Sequence, residues 1–75
     1  MPVIRRFHSF VIRMYFHDEN PPHVHVVGRE FEARVAIEGA AILSGKMPSR
    51  VRKLALPWIE ANKALLLAEW EDKQG

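Results

Sequence analysis

The feature that most constrains the fold is an alternating pattern of apolar residues on both sides of Gly28-Arg29. Every second residue is apolar from His23 to Val27 and again from Glu30 to Glu38. A period of two is typical of β-strands, and two residues that begin with glycine are typical of a tight hairpin turn. The pattern therefore predicts two antiparallel strands joined at Gly28-Arg29.

The register of this hairpin assigns each side chain to one face of a sheet. With the turn placed there, His25 lies opposite Glu32 and His23 lies opposite Arg34. All the alternating apolar positions then fall on one face, which we expect to be buried. The predicted buried residues are Val24, Val26, Phe31, Ala33, Val35 and Ile37.

Two further strands are predicted on either side of the hairpin. Ser9 to Phe16 alternates and is rich in β-branched and aromatic residues, and the polar, proline-ended run from His17 to Pro22 follows it as a loop. Gly39-Ala40 predicts a turn into a short strand from Ala41 to Ser44. In the strand from Ser9 to Phe16, the side chains expected to point into the core are those of Phe10, Ile12, Met14 and Phe16.

The remainder of the chain has helical periodicity from an N-cap at Ser49 to about Asp72, and its apolar stripe includes Trp58 and Trp70. Pro57 interrupts the pattern, so we expect a bend or break near it. The prediction is a single α+β domain spanning residues 1–75. A small antiparallel sheet of three to four strands carries the C-terminal helix, kinked or split near Pro57, on one face.

One helical layer covers one face of a sheet, so the other face is predicted to be exposed and polar. Its predicted residues are Arg13, Tyr15, His23, His25, Glu32 and Arg34. The simplest interpretation is a solvated sheet face. Alternatively, it is an interface with a partner or a second copy, with Tyr15, Val11 and Val27 as anchors.

A metal site is a third interpretation of this face. His23 and His25, two residues apart on a strand, point the same way and can hold a divalent metal ion. Glu32 would complete a set of two histidines and one carboxylate, and His17 or Asp18 could approach from the loop.

Metal-independent cleavage of RNA is a fourth interpretation. His23 and His25 would transfer protons near neutral pH. Arg13 would stabilise the charge of the phosphate, and Tyr15 would position the substrate or relay a proton. The sequence leaves these four alternatives open.

A cluster of cations brackets the start of the helix. It contains Lys46, Arg50, Arg52 and Lys53. Such a cluster can bind a nucleic-acid backbone or an acidic partner, or can simply be a solvated surface. His8 has no predicted role.

Composition limits the classes of protein that the chain can represent. It has no cysteine, so disulfides and thiolate metal sites are excluded. No run of roughly 18 to 20 apolar residues predicts a membrane span, and no signal peptide is evident, so we expect a cytoplasmic protein. Net charge is +2, with the basic excess before Pro57 and an acidic excess after it.

Several segments together resemble one known family over nearly the whole chain. They are Met1-Pro2-Val3-Ile4, Val11-Ile12-Arg13-Met14-Tyr15-Phe16, Pro21-Pro22-His23-Val24-His25 and Gly45-Lys46-Met47-Pro48, with Trp58 and Trp70. The chain resembles the bacterial domain-of-unknown-function family 4160, from which Pro57 departs because an ordinary helix former is expected there.

The resemblance implies a small cytoplasmic bacterial protein, often encoded beside a member of domain-of-unknown-function family 2442. Such gene pairs look like toxin–antitoxin modules. The resemblance therefore implies an interaction domain that binds a cognate small protein or forms a homo-oligomer, with RNA as a further possible ligand. It supplies no catalytic residues.

Overall fold

The computed structural model describes residues 3–15 and 18–74, within which the chain forms five strands and two helices. The strands are β1 (Val3–Arg6), β2 (Phe10–Arg13), β3 (His23–Gly28), β4 (Glu32–Ala36) and β5 (Ile42–Gly45). The helices are α1 (Ser49–Ala61) and α2 (Lys63–Gln74). Each strand pairs antiparallel with the next along the chain, in the order β1-β2-β3-β4-β5. The predicted α+β class is confirmed.

The sheet has more strands than predicted. β1, which no sequence pattern predicts because it contains only two apolar residues, pairs with β2. β2 is the middle of the strand predicted from Ser9 to Phe16, and Phe16 and His17 lie outside the described residues. β5 occupies the predicted position within one residue, after a 3₁₀ turn at Glu38–Ala40.

The hairpin of β3 and β4 exists, but its register differs from the prediction by two residues. His25 lies opposite Arg34, not opposite Glu32. The turn residues are Arg29 and Glu30, because the Gly28 N–H donates to the Phe31 carbonyl at 2.9 Å. A shift by two residues moves no side chain to the other face, so the facial assignment is unchanged.

The helical region divides at Asn62, five residues after the predicted break. α1 runs through Pro57, and its final carbonyl groups are satisfied by Asn62, whose side-chain amide donates to the Trp58 carbonyl at 2.8 Å. The backbone N–H of Asn62 also donates to the Trp58 and Ile59 carbonyls. Ser49 is not the N-cap: Pro48 holds that position and accepts from the Arg52 N–H at 3.0 Å.

The core combines the apolar side chains of one face of the sheet with apolar side chains of both helices. Phe10, Ile12 and Met14 are buried as predicted, together with five of the six predicted hairpin residues. The exception is Phe31, which is half-buried because it follows the turn and precedes β4. The helices complete the core with Val51, Ala55, Ile59, Leu66 and Trp70.

Candidate functional site

The second face of the sheet carries a cross-strand row of polar residues. Arg13 in β2 lies opposite His25 in β3, and His25 lies opposite Arg34 in β4. His23 shares this face because it is two residues from His25. The register therefore gathers these side chains on one face, as the alternation predicts.

The prediction that both histidines are exposed is wrong. His23 is 1% exposed and His25 is 6% exposed. The indole ring of Trp70 lies 5.3 Å from the His23 ring, and the phenol ring of Tyr15 stacks on His25 at 4.1 Å. Because aromatic side chains cover both imidazoles, the two rings are shielded from water although they lie on the polar face.

The hydrogen bonds of His23 define its tautomer. Its Nδ1 lies 2.8 Å from the Pro21 carbonyl oxygen, which can only accept, so Nδ1 carries the hydrogen. The other nitrogen, Nε2, is buried and has no hydrogen-bond partner among the described residues. Unpaired buried polar atoms are rare in folded proteins. Nε2 of His23 therefore requires an explanation.

His25 lies between two carboxylates. Its Nδ1 is 3.2 Å from Oε2 of Glu32, and its Nε2 is 3.1 Å from Oδ2 of Asp18. The same Oδ2 atom of Asp18 lies 3.0 Å from Nε2 of His23, without the geometry of a hydrogen bond. Two imidazole nitrogens thus face one carboxylate oxygen.

These three groups form the only cluster with metal-ligand spacing among the residues the structure describes. The candidate ligand atoms of Asp18, His23 and His25 lie within 4.8 Å of one another. Ligands bound at about 2.0–2.2 Å to one ion lie roughly 2.9–3.5 Å apart when the ligand–metal–ligand angles are about 90° to 109°. The two distances from Oδ2 fall in that range.

Asp18 is held as an anion by its surroundings. Burial raises the pKa of this carboxyl, but the hydrogen bond with His25, a hydrogen bond from the Glu19 backbone N–H and electrostatic attraction by His23 and His25 outweigh burial. The pKa of Asp18 therefore lies below its ordinary value.

Glu32, predicted as the carboxylate ligand, lies on the opposite side of His25 from this cluster. It contacts Nδ1 rather than Nε2, the position from which a second carboxylate orients a metal-binding imidazole. The sequence did offer a signal for Asp18: it is an acid in a loop that ends in two prolines directly before the histidine strand.

The two other predicted catalytic residues also lie beside the histidines. Arg13 is opposite His25, and its buried Nε atom has no hydrogen-bond partner among the described residues. Tyr15 covers His25 as a stacked ring. The structure therefore brings Arg13 and Tyr15 next to the imidazoles.

The predicted cation cluster is separate in the chain from these residues. It occupies the start of the β5–α1 connection and the first turns of α1. Its members are Lys46, Arg50, Arg52 and Lys53, all of them exposed.

Comparison with protein families assigns the chain. The family model described as a domain of unknown function, DUF4160, matches residues 9–71. The chain belongs to the DUF4160 family. The match includes both histidines, Asp18, Glu32 and most of α2. No curated protein and no solved structure matches this DUF4160 domain.

Within the described part of the DUF4160 chain, no helix is both long and apolar enough to cross a bilayer.

Proposed function

We propose that this domain binds one divalent transition-metal ion through Asp18, His23 and His25. The observation that carries the proposal is the buried Nε2 of His23, which faces Oδ2 of Asp18 without a hydrogen bond. A metal ion accepts the lone pairs of both Nε2 atoms and the charge of the carboxylate at one point. It therefore gives the unpaired nitrogen a partner.

The alternative is that extra protons hold the cluster together. Both Nδ1 atoms face acceptors, so a proton on each Nε2 would make two imidazolium ions. Burying two cations side by side is costly because each loses its hydration. A metal ion instead binds neutral imidazole, and binding releases protons.

The ligand types indicate the class of metal. Imidazole nitrogen suits Zn²⁺, Fe²⁺, Co²⁺ and Ni²⁺, whereas Mg²⁺ and Ca²⁺ prefer sites made of oxygen. The Nδ1 contacts to Pro21 and Glu32 are the outer contacts that orient metal-binding histidines. Zn²⁺ is the first ion to test.

The direct experiment is calorimetric titration of Zn²⁺ into protein whose affinity tag has been removed and whose metal has been stripped with chelator. We expect one ion per chain. Asp18→Asn is the most informative variant, because Asp18 is in a loop and the buried histidines stay intact. We expect it to weaken Zn²⁺ binding at least tenfold, and His25→Ala to weaken it further.

Two matched controls make the result specific. Glu19→Gln removes the neighbouring exposed carboxylate, and His8→Ala removes an exposed histidine in the β1–β2 turn. Both are expected to bind Zn²⁺ as the wild type does. Substoichiometric binding of Zn²⁺, Co²⁺, Ni²⁺ and Fe²⁺ by folded wild-type protein would overturn the proposal, as would equal weakening in the controls.

A second candidate function is binding of a cognate small protein within a cytoplasmic two-gene module that resembles toxin–antitoxin pairs. The supporting observation is the edge strand β5, whose four residues are all exposed and include Ile42 at 38% and Leu43 at 41%. Exposed sheet edges pair with strands of other chains. Co-expression with the product of the neighbouring gene tests this function, and it fails if the two proteins elute separately as monomers.

Metal-independent RNA cleavage stays a prediction. It requires a phosphodiester to reach His23 and His25, and both imidazoles are buried. Cleavage of RNA by the wild type that is lost in His23→Ala and His25→Ala would support it, whereas unchanged cleavage in those variants would indicate a contaminating nuclease.

A further inference from the structure

The positive charge of the chain is concentrated in two short segments. Residues 3–9 and 46–54 contain six of the eleven Lys and Arg residues and none of the nine Asp and Glu residues. These six cations are Arg5, Arg6, Lys46, Arg50, Arg52 and Lys53. All are exposed, and none forms an ion pair with a carboxylate within the described residues. The rest of the chain is therefore net acidic.

The fold brings the two segments together. Phe7, in the β1–β2 turn, meets the Trp58 ring of α1 edge-on at a centroid distance of 6.2 Å. This contact packs the turn, with Arg5 and Arg6 on the strand before it, against the helix that carries Arg50, Arg52 and Lys53. We call the six cations and the groove between the turn and α1 the basic surface.

A cavity of about 430 Å³ lies between the β1–β2 turn and α1, with Arg50 of the basic surface in its lining. His8 and Ser9 line it from the turn, and Arg50, Val51 and Leu54 line it from α1. Its volume is within the range of about 300–1,000 Å³ that is usual for sites that bind small ligands. The cavity is large enough to receive one residue of a polymer.

The lining of the cavity combines two kinds of chemistry. The imidazole of His8, the hydroxyl of Ser9 and the guanidinium of Arg50 are hydrogen-bond donors suited to an anion. Val51 and the half-exposed Leu54 provide an apolar wall. A nucleotide has the matching parts, because its phosphate is anionic and its base has an apolar face.

We infer that the basic surface binds the phosphodiester backbone of single-stranded nucleic acid, with one phosphate held by His8, Ser9 and Arg50. Four of its six cations are arginines, whose planar guanidinium groups bind phosphate through two parallel hydrogen bonds. A single strand fits better than a duplex, because only an unstacked base can contact Leu54 inside the cavity. This binding does not require the metal ion.

The fold adds residues that sequence reasoning did not connect with the helical cations. Arg5, Arg6, His8 and Ser9 are more than 35 residues away in the chain from Lys46. An acidic protein is the other class of ligand that such a surface attracts. The combination of three donors with an apolar wall in one cavity favours a nucleotide over a carboxylate side chain.

The test is fluorescence anisotropy with a fluorescein-labelled single-stranded RNA and a DNA of the same sequence, at salt concentrations from 50 to 200 mM. Three to five phosphate contacts predict that affinity falls about 20- to 130-fold over this range. Tighter binding of RNA or of DNA identifies which polymer the surface prefers. Binding of either one supports the inference.

A charge-matched pair of variants locates the site. Arg50→Glu changes the charge of the cavity, and Arg29→Glu makes the same change at the exposed tip of the β3–β4 turn. We expect Arg50→Glu to weaken binding at least tenfold and Arg29→Glu to weaken it less than threefold. Leu54→Ala should weaken binding without altering the salt slope, because Leu54 contacts no phosphate.

Three outcomes would overturn the inference. The first is no binding of either polymer at 50 mM salt by folded protein. The second is equal weakening by Arg50→Glu and Arg29→Glu, which would show that only the overall charge matters. The third is tight binding of labelled polyglutamate that RNA and DNA cannot displace, which would assign the surface to an acidic protein.

Discussion

The phenol ring of Tyr15 lies flat against the imidazole of His25, with the ring centroids 4.1 Å apart and 17° between the planes. His23 meets the same imidazole more steeply, at 5.0 Å and 60°, and Trp70 covers His23. The rings of Tyr15 and Trp70 thus shield the candidate ligand nitrogens from water. Exclusion of water strengthens every electrostatic interaction of Asp18 with these nitrogens.

Removal of the Tyr15 ring tests the stabilising role of this stack. Tyr15→Ala is expected to lower the free energy of unfolding of the metal-free protein by about 1–3 kcal/mol, because it loses both the stacking contact and the cover over His25. Tyr15→Phe keeps the ring and should lose less. Urea denaturation measures both, and an Ala variant that unfolds at the wild-type urea concentration would contradict the prediction.

Glu32 is expected to increase the affinity for the metal ion without coordinating it. Its carboxylate fixes the hydrogen on Nδ1 of His25, which makes Nε2 of the same ring a stronger metal ligand. Loss of such outer partners typically weakens metal binding about 10- to 100-fold. Glu32→Gln keeps one accepting oxygen, so we expect about a tenfold increase in the Kd for Zn²⁺. Glu30→Gln, in the adjacent turn, is the control and should leave the Kd unchanged.

The lowered pKa of Asp18 predicts how stability depends on pH. A carboxyl whose pKa is lower in the folded state stabilises the protein above its unfolded pKa of about 3.9 and loses that contribution as the pH falls through the folded value. The metal-free Asp18→Asn variant should therefore be less stable than wild type at pH 6, and the difference should shrink as the pH is lowered below about 4.

Thermal or urea unfolding across this pH range measures that difference. Glu19→Gln is a suitable control because its side chain is exposed and its backbone N–H, which donates to Asp18 at 2.9 Å, is kept. A constant difference between wild type and Asp18→Asn at all pH values would contradict the assignment of the lowered pKa.

Much of the fold could be predicted because it follows from local patterns of apolar and polar residues in the sequence. Alternation in β3 and β4 identified the buried face even though the register differed by two residues, since a shift of two preserves every facial assignment. The division at Asn62 could not be predicted from Pro57. It depends on a side-chain amide that satisfies a helix-end carbonyl, and the sequence does not show whether an asparagine will do so.

The candidate site was predictable in its location but not in its burial. His23 and His25 do share one face of the sheet, as the period of two requires. Their burial depends on Trp70, 47 residues after His23, and on a loop that returns Asp18 to the histidines. The contact between Trp70 and His23 has no periodic signal in the sequence. Glu32 was the predicted carboxylate ligand, and Asp18 was predicted only as a loop residue that could approach.

Gly39 and Gly45 have similar backbone conformations but different surroundings. Substitution of each by alanine therefore distinguishes the free-energy cost of the backbone conformation from the cost of steric clash. Gly39 has φ of +75° and Gly45 has φ of +81°, and an L-residue in this region costs roughly 1–2 kcal/mol. A Cβ atom at Gly39 meets nothing within 4 Å. At Gly45 it would collide with the backbone carbonyl of Glu32 and lie 2.8 Å from Cα of Ala33.

Gly39→Ala is therefore expected to lower the free energy of unfolding by about 1–2 kcal/mol, and Gly45→Ala by at least about 2 kcal/mol more. The collision at Gly45 involves backbone atoms of β4, which cannot rotate away as a side chain can, so relief requires β5 to separate from β4. A protein of 75 residues has little stability to lose, so Gly45→Ala should melt far below Gly39→Ala or fail to fold. Equal melting temperatures for the two variants would mean that β5 does not pack this closely on β4.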